Sequence, residues 1–429
     1  MKRLLKWLAG LSVAAGVLAA VVWTLNIQDE VDVNAPVAAA APSEQQIARG
    51  AYLARAGNCA GCHTAPGGAD YAGGKGIPTP FGTVFTSNLT PDDKTGIGSW
   101  SPAHFWRAMH NGRSKDGRLL YPAFPYTNYT QVTREDSDAL FAYLGSLPPV
   151  VQPNQPHGLQ FPFQSQAALA VWRALYFRPG VFEADTRQSM EWNRGAYLVQ
   201  GLGHCSACHS ARNALGATTQ GLNLAGGLIP MQNWYAPSLS SPQEAGVAGW
   251  READIVSLLQ HGVSPQASVA GPMAEVVLRS TQHLSASDLG AMAKYLQQLP
   301  GTPVATAPQP AAAKVTPGTA AKGAKLYEQH CAQCHGASGE GVPKAYPALA
   351  GNRAVTMTQT VNLVQIVLAG GYAPATEGNP RPFGMPPFVL VMNDEDIATV
   401  LTHIRNAWGN QASEVTPIEV NRIRANSAR

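Results

Sequence analysis

All six cysteines of this 429-residue chain lie in three copies of one five-residue motif. The motif is Cys-x-x-Cys-His, the attachment sequence of c-type haem. Two thiols one helical turn apart can reach the two vinyl groups of one porphyrin, and the histidine that follows points its imidazole at the iron. The sequence therefore predicts three covalently bound haem c groups. Their cysteines would be Cys59 and Cys62, Cys205 and Cys208, and Cys331 and Cys334, with His63, His209 and His335 as the proximal iron ligands.

Other interpretations of the motif need features that the sequence lacks. A zinc site needs a second pair of ligands, which no part of the chain offers in cysteine. A redox-active cysteine pair would be expected once, beside a β-α-β pattern. The formal net charge of +3 argues against a nucleic-acid partner, and no acid–base pair or nucleophile stands in a recognisable catalytic motif. We therefore predict an electron carrier with no catalytic residues of its own.

The N-terminus has the pattern of an export signal. Lys2, Arg3 and Lys6 precede an uncharged run over residues 7–28, and a basic start followed by an apolar stretch directs export. The run is long enough to cross a bilayer. Residues 1–30 are therefore predicted to be a membrane anchor or a cleaved signal, with a possible cleavage site at 38–41. The positive charges before the run place the rest of the chain outside the cytoplasm.

An internal repeat surrounds the three motifs. A helical segment of similar sequence precedes each motif, at 49–53, 194–198 and 322–327, and a closing helix follows each. The apolar positions recur at helical spacing, and a glycine in each first segment would let another helix approach closely. With middle helices over 100–112 and 250–262, this order is typical of a small cytochrome c domain. We predict an all-α fold of three tandem cytochrome c domains behind the N-terminal signal or anchor helix.

Shifts in composition mark the segment boundaries. The predicted domains cover 44–150, 188–301 and 318–409, with a linker at 151–187, an Ala/Pro-rich linker at 302–317 and a polar tail at 410–429. The first linker is rich in aromatic residues, which either pack between domains or contact a membrane surface or a partner subunit. These residues are Phe161, Phe163, Trp172, Tyr176 and Phe177.

Methionine is the expected second axial ligand, because it makes a haem a low-spin carrier of raised potential. In the third domain the candidate is Met385, which stands before two prolines, and Met392 is the alternative. In the second domain the candidate is Met273, which follows Pro272. Met231 is its weaker rival, and Met292 is expected in the core of the closing helix.

The first domain is the difficult one, because Ala123 stands where the repeat offset from Met273 falls. Its one methionine is Met109, on the middle helix. The counterparts of Met109 in the other repeats look like core residues, so the repeat alone favours a structural role, and His104 and His110 are further candidates. We assign Met109 as the axial ligand, since nothing suggests a substrate pocket at an open iron. His204 and His330, each beside a motif cysteine, are expected at the surface or at a haem edge.

Several longer stretches point to a family. Over nearly its whole length the chain resembles the triple-haem cytochrome c subunits of bacterial membrane-bound dehydrogenases for gluconate, sugars and alcohols. Beside the three motifs, the matching stretches are 86–91 with 96–98, 116–117, 120–126, 194–198, 203–209 and 234–239.

The resemblance implies a role and a partner. A catalytic subunit that carries FAD or pyrroloquinoline quinone would oxidise its substrate in the periplasm, and the cytochrome subunit would pass the electrons to ubiquinone in the membrane. Members of the alcohol-dehydrogenase type tend to have Met at the position of Phe124, whereas in the flavin-dependent branch the position of Met109 is the proposed ligand. The resemblance therefore favours a flavin-dependent partner for sugars or gluconate.

Three alternatives remain open at this point. The chain could serve a quinoprotein alcohol dehydrogenase or a molybdenum aldehyde dehydrogenase, it could be a free periplasmic electron shuttle, or it could be a haem enzyme such as a peroxidase. A peroxidase would need an open iron with a distal base, and a shuttle would lack both an anchor and a stable partner.

Overall fold

The computed structural model describes residues 2–28, 30, 32–33, 41–218, 224–301 and 315–427. The described residues form two compact units. The first unit comprises those of 1–184, 200–204 and 214–217, and the second comprises those of 185–199, 205–213 and 218–429. Residues 38–40 of the possible cleavage site and most of the predicted Ala/Pro linker lie outside the described residues.

Helices dominate the first unit. In chain order they are α1 (Lys2–Ile27), α2 (Glu44–Ala56), α3 (Cys59–His63), α4 (Pro102–Asn111), α5 (Tyr126–Tyr129), α6 (Arg134–Gly145) and α7 (Gln166–Tyr176). A small antiparallel sheet joins β1 (Gly76–Thr79), β2 (Gly82–Phe85) and β3 (Gly158–Leu159), in that order.

Helices also dominate the second unit. Its helices are α8 (Met190–Ala196), α9 (Ser206–His209), α10 (Glu252–His261), α11 (Pro272–Arg279), α12 (Ala286–Gln297), α13 (Pro317–His330), α14 (Ala332–His335), α15 (Arg353–Thr356), α16 (Val361–Ala369), α17 (Asp394–Asn406) and α18 (Pro417–Ser427). Two short antiparallel hairpins pair β4 (Gly227–Ile229) with β5 (Trp234–Ala236), and β6 (Gly371–Tyr372) with β7 (Gly384–Met385). The fold is therefore mainly helical, with short strands in the loops where the all-α prediction placed none.

A crossing of two helices recurs at each motif. The helix before the motif packs against the closing helix in the pairs α2–α6, α8–α12 and α13–α17. A glycine stands at each crossing, and a Cβ there would overlap the partner helix: Gly50 the carbonyl of Ala139, Gly195 the carbonyl of Ala291, and Gly323 the Cβ of His403. Because only glycine allows this approach, the close packing predicted from the repeat is present at all three crossings.

An ion pair closes each crossing. The basic residue before each of these glycines pairs with the third residue of the closing helix, as Arg49–Asp136, Arg194–Asp288 and Lys322–Asp396. The backbone N–H of each of these aspartates is in turn held by the N-cap side chain, from Thr133, Ser285 and Asn393. Each closing helix thus begins with a capped N-terminus that favours the aspartate charge.

Two segments differ from the prediction. The predicted linker at 151–187 contains β3 and the helix α7; its residues 151–184 belong to the first unit, and 185–187 belong to the second. The polar tail from residue 410 contains α18, and Val415, Val420 and Ile423 are buried in the core that surrounds α16 and α17. Burial of these three apolar side chains stabilises the packed tail.

Candidate functional site

The three motifs form short helical turns. All six cysteines lie within the described ranges, and none is in a disulfide; Cys62 is exposed and the other five are half-buried. Burial raises the pKa of the first thiol of each motif, to about 12 for Cys59 and Cys205 and about 11 for Cys331, and the neighbouring second cysteine acts in the same direction. A redox-active cysteine pair needs a lowered thiol pKa, so these motifs do not have the electrostatics of a thioredoxin-like site.

The second cysteine of the middle motif lies beside a buried arginine. Cys208 is on α9, and its backbone N–H donates to the carbonyl of Cys205 over 3.2 Å. Burial lowers the pKa of Arg212, whereas the nearby Cys208 acts in the opposite direction. The guanidinium of Arg212 also donates to the carbonyl of Ala207 over 2.6 Å. Cys208 thus follows Cys205 by one helical turn, as attachment to one porphyrin requires, and its thioether bond stays a prediction.

Each motif histidine is fixed by one backbone carbonyl. Nδ1 lies 2.7 Å from the carbonyl oxygen of Ser87 in His63, 2.7 Å from that of Pro237 in His209, and 2.9 Å from that of Pro347 in His335. A carbonyl can only accept, so Nδ1 carries the proton and Nε2 keeps its lone pair. Burial lowers the pKa of all three imidazoles, although this hydrogen bond acts in the opposite direction. A neutral imidazole with a fixed tautomer is the form that binds a metal.

A glycine holds the backbone of each motif histidine. The backbone N–H groups of Gly73, Gly226 and Gly341 donate to the carbonyls of His63, His209 and His335, over 2.8, 2.7 and 2.8 Å. All three glycines have φ between 67° and 87°. A Cβ on Gly73 would lie 2.5 Å from the carbonyl carbon of Ser87, and one on Gly341 would lie 2.7 Å from that of Pro347. Each motif histidine is therefore held by a two-point brace, which we call the proximal brace.

The donor set at each motif fits haem c better than zinc. Each site brings together two thiols and one imidazole whose Nε2 keeps its lone pair. In the part of the chain that the structure describes, no group of three or more His, Cys, Asp or Glu side chains has the arrangement of a metal site. A structural zinc ion takes four such ligands, whereas a covalently attached porphyrin requires only the thiols and one axial imidazole from the motif.

Aromatic side chains pack around the first motif. The Tyr129 ring is buried, and its hydroxyl donates to the carbonyl of Gly57 over 3.2 Å. Burial raises the pKa of Tyr129 well above its usual value, and Cys59 and Cys62 add to the shift, so this phenol lies beside the two thiols. The Phe124 ring lies 5.3 Å from the Tyr129 ring. Position 124 is therefore next to a residue that faces the motif, and it has no atom that could bind iron.

Met109 lies inside a buried helix of the first unit. It is 6% exposed, on α4. Its neighbour His110 holds α4 in place, because Nδ1 of His110 donates to the carbonyl of Thr130 over 2.8 Å, directly after Tyr129. The other histidine candidate, His104, is part of the N-terminal cap of the same helix, where its Nδ1 lies 2.8 Å from the hydroxyl of Ser101. Both histidines thus have structural hydrogen bonds, and Met109 is the buried thioether of this region.

Met273 lies near the start of α11, in the second unit. The preceding Gly271 packs on the ring of Trp234, close enough that a Cβ would lie 2.6 Å from it. Trp234 stands three residues before Pro237, the carbonyl of which braces His209. The segment that carries Met273 is therefore next to the brace of the second motif. Met231 is 63% exposed and Met292 is 4% exposed within α12, as expected for a loop residue and a core residue.

Met385 lies on β7, also in the second unit. It packs against the same core as Cys331 of the third motif. A row of rings connects the two regions: Tyr346 lies 6.4 Å from the His335 ring and 5.2 Å from Phe383, which is two residues before Met385. Met392 is 4% exposed, within the core.

His204, which is expected at the surface or at a haem edge, lies beside the chain that leads into the first motif. Its imidazole is buried, which lowers its pKa, and Nε2 lies 3.3 Å from the carbonyl of Gly57. Its ring also lies edge-on to Tyr129, 5.5 Å away. His330 packs edge-on against Phe388 instead, with ring centroids 5.9 Å apart.

No pattern in the sequence assigned a role to any of the six residues of the proximal braces. Ser87, Pro237 and Pro347 follow their histidines by different numbers of residues, as do the three glycines, because the loops differ in length. No fixed spacing could therefore have identified them. The one usable signal is a glycine after each motif where a positive φ is needed.

Comparison with known proteins finds cytochrome c subunits that are similar to this chain over most of its length. The cytochrome c family profile matches residues 47–148 and 320–408. The cytochrome c subunit of alcohol dehydrogenase (quinone) from Gluconacetobacter polyoxogenes is 38% identical over 397 residues, which cover 89% of this chain and 85% of that protein. The gluconate 2-dehydrogenase cytochrome c subunit of Pantoea cypripedii is 36% identical over 394 residues, covering 88% of this chain and 89% of that protein.

A relative of different length also matches. A nicotinate dehydrogenase subunit of Pseudomonas putida is 40% identical over 392 residues, or 88% of this chain, and these residues make up 32% of that protein.

Proposed function

The chain belongs to the family of cytochrome c subunits of bacterial dehydrogenases, and from this membership we propose that it carries electrons from a catalytic dehydrogenase subunit to ubiquinone. It would do so at the periplasmic face of the cytoplasmic membrane, with three covalent haem c groups. The observation that supports this best is the threefold recurrence of a Cys-x-x-Cys-His motif with the same proximal brace.

The residues that would hold the haems are those of the motifs. Nε2 of His63, His209 and His335 would bind iron. The proximal braces keep each imidazole in one tautomer and one orientation, which also raises its basicity as a ligand. The glycine N–H of each brace limits movement of the motif backbone. The thioether bonds would form at Cys59 and Cys62, at Cys205 and Cys208, and at Cys331 and Cys334.

When bound, each haem supplies a one-electron carrier, and a methionine on the second axial position raises its reduction potential. We propose Met109, Met273 and Met385 for these positions. Met109 is a buried residue of α4. A buried side chain on a helix has few accessible rotamers, which restricts where its sulfur can lie. The chain's contribution is thus to choose the axial atoms, to fix them and to exclude water from them.

We favour a flavin-dependent sugar or gluconate dehydrogenase as the catalytic partner. The support comes from two positions in the first unit. Phe124 carries a ring that cannot bind iron, beside a tyrosine that faces the motif, and Met109 is the buried thioether of this region. This combination resembles the flavin-dependent branch of the family. The relative from Pantoea cypripedii, named as a gluconate 2-dehydrogenase subunit, is compatible with it.

The second candidate partner is a dehydrogenase of another type, such as a quinone-type alcohol dehydrogenase or a nicotinate dehydrogenase. It is favoured by the 38% identity to a cytochrome subunit named for a quinone-type alcohol dehydrogenase, and by the 40% identity to a subunit named for nicotinate dehydrogenase. In both cases the electron-transfer role of this chain would be the same, and the substrate would belong to the catalytic subunit.

The test is purification of the chain from its native membranes together with whatever binds it. We expect three haems per chain by alkaline pyridine spectroscopy, co-purification with a flavoprotein, and haem reduction when a sugar or gluconate is added. A ubiquinone analogue should then reoxidise the haems. The variant Cys331→Ala with Cys334→Ala should lower the count to two, and Met190→Ala, at a 91% exposed methionine, is the control that should change nothing.

Three outcomes would contradict this proposal. A haem count of two in the unaltered chain would remove one of the three sites. A quinoprotein in place of the flavoprotein would select the second candidate. Rapid turnover of peroxide by the isolated chain would make it an enzyme rather than an electron carrier.

A further inference from the structure

The C-terminal end of α1 is built into the first unit. Asn26 is 5% exposed, although nearly all of the helix before it is exposed. Its side-chain amide donates to the carbonyl of Ala170 in α7 over 2.9 Å, and its Oδ1 accepts from Nε of Arg173 over 2.8 Å. The backbone carbonyl of Asn26 accepts from Arg113, which also pairs with Glu30. A signal peptide cleaved after residue 30 would leave Arg113 and Arg173 without these partners.

The arginine that holds Asn26 is itself part of the core. Arg173 is 2% exposed and stacks on the rings of Tyr126 and Phe177, at 5.1 and 4.8 Å. Its terminal nitrogens donate to the carbonyls of Asn111 and Gly112, at the C-terminal end of α4. Removing a partner from a buried, hydrogen-bonded charge is strongly destabilising. The first unit is thus folded around the end of α1.

The dimensions of α1 place this junction at a membrane surface. Within the described residues it is the single helix that is long and apolar enough to cross a membrane. Trp7 and Trp23 stand near the two ends of its uncharged run and are both exposed, separated by about 24 Å. Tryptophans at such positions mark the two interfaces of a bilayer core about 30 Å thick. Asn26, three residues beyond Trp23, then lies at the outer interface.

The helix that contacts this junction turns an apolar face to the outside. α7 buries Leu169, Arg173 and Ala174. The opposite face carries Ala167, Val171 and Leu175, at helical spacing, and the last two are 48% and 62% exposed. Arg173 is the one charged residue of α7, and it points inward. The nearby Phe161 is 82% exposed. An exposed helix face without a charged or polar group is unusual on a protein surface that meets water.

We propose that α1 is retained as a membrane span and that the outward face of α7, with Phe161, contacts the lipid of the outer leaflet beside it. This inference rests on the proposed function only in that both place the chain at the membrane. The occupant is lipid rather than another protein, because α7 is hydrogen-bonded to α1 at the level where the span leaves the bilayer. An apolar helix face held at that depth lies where interfacial helices insert.

The experiment uses the full haem-loaded chain in lipid nanodiscs that contain a phospholipid with a photoactivatable acyl chain. Mass spectrometry of the cross-linked peptides should find lipid on α1, and on α7 at a level on the order of tenfold above that at Leu390. Leu390 is an apolar residue of the second unit that is 96% exposed and far along the chain from α1. The intact mass of the membrane-extracted chain should include α1.

A variant pair separates lipid contact from mere exposure. Val171→Glu with Leu175→Glu should lower cross-linking of α7 several-fold and leave that of α1 unchanged, whereas Leu390→Glu should leave both unchanged. Both altered α7 positions are exposed, and the haem absorbance spectrum reports whether each variant has folded.

Three results would overturn the inference. They are cross-linking of α7 no higher than at Leu390, a mature chain that begins after residue 30, and loss of α7 cross-linking when the catalytic subunit is present. The last would assign the face to that subunit. Haem reduction by substrate in the same nanodiscs tests the proposed function separately, because it does not depend on which surface α7 meets.

Discussion

The first and third motif sites hold their histidines in the same way, but their candidate methionines lie on different kinds of element. In both, Nδ1 of the motif histidine lies against a loop carbonyl, and a glycine N–H holds its backbone. Met109, however, is part of the regular helix α4, whereas Met385 lies on a two-residue strand. The segments that carry the brace carbonyls differ too: Ser87 follows strand β2 of the three-stranded sheet, and Pro347 lies in a loop held by Asn410.

The difference shows that the motif histidine and the candidate methionine are constrained differently: the setting of the histidine is constant, whereas the element that carries the methionine varies. A motif histidine must present one nitrogen in one orientation, and the two hydrogen bonds of its brace are the same at both sites. A methionine has three rotatable bonds and can reach the same point from a helix or from a strand. The element that carries the candidate methionine thus differs between the two sites.

The largest expected effect is a lowered haem potential when either candidate methionine is removed. Met385→Ala and Met109→Ala should each lower the potential of one haem by on the order of 0.1 V, within the roughly 0.8 V range that axial ligands control. Each should also remove part of the far-red band of methionine-ligated ferric haem. Potentiometric titration followed by absorbance measures both. If Met109→Ala leaves the potentials unchanged while Met385→Ala does not, the two sites differ in ligand type and Met109 is a core residue.

The next effect tests whether the two braces are equivalent. Gly73→Ala and Gly341→Ala should each destabilise the protein by about 2–3 kcal/mol, since both add a strained positive φ and a Cβ against the bracing residue. Urea denaturation of the haem-loaded protein measures this. The control is Gly67→Ala, which has a similar positive φ with no atom within 4 Å and should cost about 1 kcal/mol. Equal losses in all three variants would mean that the brace contact adds nothing.

A smaller effect should be confined to the third site. Asn410 is 4% exposed, donates to the carbonyls of Leu349 and Ile404, and accepts from the N–H of Gly351. Asn410→Ala should cost about 1–3 kcal/mol, because it leaves buried backbone groups unpaired, and should shift the potential of the third haem alone. Asn406→Ala, which removes a bond within one helix, is the matched control. A shift at the first haem would contradict the local support described here.

The smallest effect should be a pH dependence of local stability near the first site. Nδ1 of His157 accepts from the N–H of Phe85 in β2, and burial lowers the pKa of this imidazole below its usual 6.5. The folded state therefore binds the proton less well than the unfolded state. Stability from neutral His157 is complete above pH 6.5 and declines as the pH falls below it. Hydrogen exchange at Phe85, corrected for the intrinsic rate at each pH, should quicken from about pH 7.5 to about pH 5.5, and His157→Asn should abolish the difference.

The helical framework of the molecule was predictable because local signals encode it. The glycine before each motif and the apolar spacing of the closing helix are sequence features, and the crossings at Gly50, Gly195 and Gly323 agree with them. The middle helices also fall where the patterns placed them, at Pro102–Asn111 and Glu252–His261. The motifs predict the attachment residues from spacing alone, since a porphyrin fixes the distance between the two thiols, and the attachment itself stays a prediction.

The remaining features depend on contacts between distant residues. The brace carbonyls lie in loops of unequal length, so neither periodicity nor offset could locate Ser87 or Pro347. The tail helix α18 has a polar composition, and only the fold shows that Val420 meets the core. Asn26 resembles any other residue at the end of an apolar run, and its partner Arg173 is 147 positions away.

The contact of Arg173 with the end of α4 also sets an order of events during synthesis. The guanidinium of Arg173 lies 62 positions after Asn111, the carbonyl of which it binds. The helix that carries Met109 therefore lacks part of its C-terminal capping until the chain has been made well past residue 148, where the family match of the first region ends. Domains fold as units as they emerge from synthesis. A fragment cut at that boundary would thus be an incomplete folding unit, and one extended through Phe177 would be the shortest that contains Arg173 and both aromatic rings on which it stacks.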